Sequence, residues 1–149
     1  MCYASNYMPS WLFASLMSAT FAALVSILAK VGMKGVDSNL ATAIRTVIIL
    51  VFAWGISIAD GSIQSIAKLS TTNWVFLILS GVATGVSWLF YFRALDLTDA
   101  TRVVPIDRLS LVLAVIMAVI FLHEKLTWAT AAGSVLITFG VLVIALFSR

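Results

Sequence analysis

Three side chains in this sequence have the chemistry to hold a charged solute, and all three lie where charge is costly. Arg45, Asp107 and Arg108 each fall inside a long apolar run. An ionisable group at mid-helix in lipid costs about 2.5–3.5 kcal/mol on insertion scales, so it usually marks a binding site, a water-filled cavity or an ion pair. Arg45 lies five residues after Leu40. Asp107 and Arg108 lie four and five residues after Val103. At a helical rise of 1.5 Å per residue, all three sit about 6–8 Å into their runs, at one membrane level. That level permits a cross-helix pair between Arg45 and Asp107. Arg108 would then be a surplus cation suited to a carboxylate or phosphate on a solute. Asp107 and Arg108 are consecutive, so they point about 100° apart and do not face each other.

The same residues have plainer readings. An arginine near an interface can snorkel to the headgroups, so Arg45 is either a ligand or an anchor. Asp107 is too short for that escape, which favours binding or pairing. Ser110, three residues on, shares its face. Pro105 removes a hydrogen bond to the Thr101 carbonyl and disfavours helix at Val104. It marks the first turn if the helix begins near Val104, and a kink if the helix begins after Asp99, a good N-cap. Broken helices in transporters expose backbone groups to substrate.

Catalytic constellations are missing from the sequence. Cys2 is the only cysteine and His123 the only histidine, so no Cys/His metal spacing exists and no disulfide can form within the chain. Glu124, in the tight "HEK" turn, reads as solvated or as a cap. No nucleophile–base pair or phosphate loop is present, so neither an enzyme nor a cofactor or metal is expected.

The elements that position these residues are five apolar stretches: Trp11–Ala29, Leu40–Ala59, Asn73–Phe92, Val103–Leu122 and Thr127–Phe147. Each can cross a hydrocarbon core of about 30 Å as a helix. Only a helix satisfies its backbone within one such segment, and the runs lack the alternation of a membrane barrel. The expected fold is an all-α integral membrane bundle of five transmembrane helices. Residues 1–10 form a short tail and 11–149 a single domain. Tight links make consecutive helices antiparallel neighbours. In the longest link, Ile63, Ile66 and Ala67 fit one face of a short interfacial helix. Trp11, Trp54, Trp74 and Trp128 lie near span ends, as interfacial anchors do. Gly81 and Gly85 form a GxxxG, and Gly133 and Gly140 give the last span a similar small face; both suit close helix packing.

Composition agrees. The chain has 149 residues, 62% apolar and 10% charged, with mean hydropathy +1.13; a soluble surface needs more charge. The net charge of +3 comes from scattered Lys and Arg, not a basic patch, which excludes nucleic acid as a partner. Lys30, Lys34, Arg93, Arg102 and Arg149 collect on one side and only Lys68 and Lys125 on the other. The positive-inside rule then puts the N-terminus outside and the C-terminus in the cytoplasm, across the cell (inner) membrane.

Two stretches, "ILAKVGMKGVDSNLATAIRTVIILVFAW" and the run from Ser87 to Leu146, resemble an EamA domain of the drug/metabolite transporter superfamily. The most specific residues are Tyr91-Phe92-Arg93-Ala94-Leu95, Pro105-Ile106-Asp107-Arg108-Leu109-Ser110 and Phe121-Leu122-His123-Glu124-Lys125-Leu126. The second run is similar to the short, single-domain branch especially. Many relatives have glycine where this chain has His123. The resemblance implies a secondary carrier or exporter of small metabolites. Larger relatives hold two such five-helix repeats in opposite orientation. This chain would supply one half, in a homodimer whose copies are antiparallel or parallel, or with another partner. Inverted repeats place the solute near the midplane, here an anionic or zwitterionic one bound near Arg45, Asp107, Arg108 and Ser110. Related small multidrug carriers use a glutamate in their first helix; the first span here has no acid. The competing expectation is a non-transporting accessory subunit that packs with another membrane protein.

Overall fold

In the computed structural model, which describes residues 9–147, the chain is helical throughout its long elements. The tail up to residue 8, with Cys2, and the terminal Arg149 lie outside the described residues. The helices are α1 (Ser10–Gly32), α2 (Ser38–Ala59), α3 (Thr71–Leu97), α4 (Ala100–Asp107), α5 (Leu109–Phe121) and α6 (Trp128–Phe147), with a 3₁₀ turn at Ser62–Lys68. Taken with α4 and α5 as one crossing, five segments are long and apolar enough to span a membrane.

Local chemistry explains the boundaries. Asp37 caps α2 by accepting from the Asn39 and Leu40 amides, and Ser70 caps α3 through the Asn73 amide. Asp60 closes α2; the Ser62 amide donates to its carboxylate and holds that carboxyl below the usual carboxylate range. The turn is therefore firmest while Asp60 is ionised, and loosens as pH falls through that lowered value. Gly61 follows at φ 76°, where a Cβ would be strained.

The fourth crossing departs from the sequence expectation. It begins at Ala100, directly after Asp99, so Pro105 lies inside the helix and not in its first turn. Asp99 holds the N-cap position, but its side chain makes no capping bond. The helix is also interrupted at Arg108, three residues beyond the proline. The Arg108 amide donates to the Pro105 carbonyl at 3.1 Å, and the Leu111 amide to the Arg108 carbonyl at 3.0 Å. Both are i→i−3 bonds, a tightened turn of the kind that follows a proline.

Burial is one-sided. Ser26, Ala29, Met33, Ser38, Ala41, Thr42, Phe92, Leu95 and Val103 are buried where α1 turns into α2 and α3 into α4, and Val141 of α6 is buried outside that cluster. Phe92 and Leu95 are the centre of that core, at 1% and 0% exposure. The other ends of α1, α2 and α3 present bare apolar side chains. In a soluble protein this would be a failed fold; for spans in lipid it is the expected surface. Trp11, Trp54, Trp74 and Trp128 are all exposed, as anchors require.

Candidate functional site

Asp107 is the last residue of α4, one position before the helix break. Seven residues separate it from the start of α4, and seven separate Arg45 from the start of α2. Both are thus about 10 Å into their helices. The half-buried Asp107 carboxyl borders two adjoining clefts. One, of about 400 Å³, lies between α3 and α4 and is lined by Ser87, Phe90, Tyr91, Ala94, Ile106 and Asp107 among others. The second, of about 260 Å³, is lined by Ala22, Val25 and Ser26 of α1, by Ser87, Trp88 and Tyr91 of α3, and by Asp107 and Arg108. Ser87, Tyr91 and Asp107 are common to both.

The wall between α1 and α3 is tied by hydrogen bonds. The Tyr91 hydroxyl donates to Ser26 Oγ at 2.7 Å, and the Ser26 hydroxyl donates to the Ala22 carbonyl at 3.0 Å. With its proton committed, Tyr91 offers lone pairs to the cleft. Asp107 is also an acceptor, and Arg108 a donor. The arrangement can hold a solute with donor groups at one end and an anionic group at the other.

Arg45 is elsewhere. Its guanidinium lies 4.5 Å from the centre of the Phe92 ring, a cation–π contact, and Phe92 meets Trp88 and Tyr91 edge to face. Among the described residues the one ion pair is Arg93–Asp96 at 3.6 Å. The pairing of Arg45 with Asp107 that equal depth permits is therefore not formed. The reason is rotational: α2 packs on the side of α3 that carries Phe92, whereas α4 meets Tyr91 and Ala94. Arg45 lines neither cleft, and its Nε is buried without a partner. Ser110 is exposed, beyond the break. So Asp107 and Arg108 come together, while Arg45 and Ser110 stand apart from them. At Gly81, Gly85, Gly133 and Gly140 an added Cβ would meet no atom within 4 Å; any close packing they serve lies outside the protomer.

Sequence reasoning missed Ser26, Ser87 and Trp88 as lining residues. Ser26 was visible as one of few polar groups in the first span, and Tyr91 as the first residue of a family motif. A further cleft, of about 480 Å³ between α5 and α6, is apolar except for Ser134 and Thr138. The Thr138 hydroxyl is spent on the Ser134 carbonyl, so that cleft has little to orient a polar solute. No group of His, Cys, Asp and Glu among the described residues is arranged to hold a metal.

Five apolar crossings define a multi-pass integral membrane protein. The chain matches the EamA-like transporter family over residues 9–146. It is 49% identical over 138 residues to a Sinorhizobium sp. protein named "Uncharacterized transporter in cobO 3'region", covering 93% of this chain and 98% of that relative. No solved structure gives a significant match. The chain belongs to the EamA-like transporter family.

Proposed function

We propose that this protein is a secondary carrier or exporter that binds a small anionic or zwitterionic metabolite in the clefts around Asp107 and Arg108. The observation that carries the reading is the helix break at Arg108, beside which Asp107 borders both clefts and Arg108 the smaller one. A break at a binding site is how transporter helices present charge and backbone to a solute. Two copies, antiparallel or parallel, form the working unit in the cell membrane, each supplying one five-helix half. The clefts open on the surface of a single chain, and the unpartnered glycine faces are available to a second copy.

Metabolite pools inside and outside cells lacking or overproducing the protein identify the solute; liposomes holding the purified protein then measure its flux. Asp107→Asn keeps the shape of the carboxyl and removes its charge. It is expected to abolish flux while expression and oligomeric state stay as in the parent. Full flux in that variant would remove Asp107 from the site. Flux that appears only when another membrane protein is added would instead favour an accessory subunit.

A further inference from the structure

On sequence, Arg102 is one of five positive charges collected at one membrane edge. In the fold it is half-buried and lines the α3–α4 cleft of about 400 Å³, where Asp107 is the other charged residue. The rest of that wall is apolar or bears hydroxyls, with Phe90, Tyr91 and Ile106 its largest members. Arg108 borders the smaller cleft instead. The larger cleft therefore has one cation and one carboxylate of its own. Their order follows from depth. α3 ends at Leu97 and α4 begins at Ala100, so both helices can be counted from a common corner. Arg102 lies about 3 Å from it, Ala94 about 4.5 Å, Asp107 about 10 Å and Ser87 about 15 Å. The two charges are about 7–8 Å apart along α4.

Neighbouring cations at this end are already engaged. The Lys30 ammonium donates to the carbonyls of Leu95 and Thr98, the latter at 2.8 Å. Arg93 pairs with Asp96, and Arg45 rests on Phe92. Arg102 makes no ion pair among the described residues, with Asp107 or any other acid. A partly desolvated cation gains from a counter-charge, and the planar guanidinium fork matches a carboxylate or phosphate. We propose that Arg102 is a specificity residue of the larger cleft. Its guanidinium takes the anionic end of a solute whose ammonium end meets Asp107, and the body of the solute lies against Phe90 and Ile106. A cleft with these two poles selects zwitterions over simple anions, because a simple anion leaves the carboxylate without a partner. This rests on the solute site proposed at Asp107, and separate variants test the two poles.

The test reads the field inside the cleft. In a Cys2→Ser background, Ala94→Cys reports the Arg102 pole and Ser87→Cys the Asp107 pole. Each thiol is reacted with an anionic sulfonatoethyl and a cationic trimethylammonioethyl methanethiosulfonate, in neutral micelles at low salt to limit screening. Arg102→Gln should lower the anion-to-cation rate ratio at Ala94→Cys on the order of fivefold. At about 7 Å in a water-like dielectric, one charge changes each rate roughly two- to threefold, in opposite directions. Arg102→Lys should keep the parent ratio. Asp107→Asn should raise the ratio at Ser87→Cys by a similar factor. Lys34→Gln removes a charge at the same end outside both clefts and should leave both ratios unchanged. 6-Aminohexanoate, whose charges five methylenes hold apart, should slow labelling of Ala94→Cys more than hexanoate or hexylammonium does. Equal protection by the three, or none, overturns the preference for zwitterions. An unchanged ratio at Ala94→Cys in Arg102→Gln places the guanidinium outside the cleft, at the headgroups, and overturns the assignment. So does an equal fall in Lys34→Gln, or a thiol that reacts with neither reagent. If Asp107→Asn still shifts its ratio in those cases, the Asp107 site stands without Arg102; if it does not, both readings fail.

Discussion

Arg45 and Asp107 illustrate how depth and direction separate. Both lie about 10 Å into their helices, yet the guanidinium rests on Phe92 while the carboxylate borders the clefts. The ring gives Arg45 a partner that the sequence does not advertise, since no charge complementarity marks it. Hydrogen bonds at this scale are modest within a membrane, averaging about 0.6 kcal/mol in double-mutant cycles. Tyr91→Phe and Ser26→Ala are each expected to destabilise the protein by about that amount. The double variant should cost less than the sum, because one bond is lost twice; reversible unfolding in mixed micelles measures the cycle. Full additivity would mean that the two hydroxyls do not interact.

The element that matters most is the broken fourth crossing. Proline at position 105 cannot donate to the Thr101 carbonyl, and the strain relaxes through the tight turn at Arg108. Pro105→Ala restores the missing donor and should let α4 and α5 join, raising the melting temperature while slowing flux, because Asp107 loses its place beside the break. A faster carrier with a higher melting temperature would contradict that role for the break. The turn after α5 makes a smaller point. His123 adopts φ 54°, and the Glu124 amide reaches back to the Ala118 carbonyl. A left-handed residue with a Cβ is strained, and glycine takes that conformation freely. His123→Gly is expected to stabilise the protein by about 1 kcal/mol in the same unfolding assay.

At the scale of the whole molecule, the core occupies one end of the bundle and the rest of the surface is apolar. Lipid or a second copy must cover it. The charge bias predicts a single orientation, so Lys34→Cys should label only from the cytoplasmic side and Lys125→Cys only from outside. Labelling of each position from both sides would mean that the copies insert in both directions, as an antiparallel pair requires.

Hydropathy and length alone determined that this chain spans a membrane five times, because a backbone in lipid has no partner but itself. Residue type alone singled out Arg45, Asp107 and Arg108, because charge within a span is expensive. Which way each side chain points was not legible. Helix rotation is set by packing between elements far apart in sequence, and a depth count contains no rotation. Only the tertiary structure could therefore decide that Arg45 meets Phe92, that Ser26 and Tyr91 close one wall of the cleft, and that Lys30 reaches across to the end of α3. The sequence had presented that lysine as one more positive charge at the membrane edge.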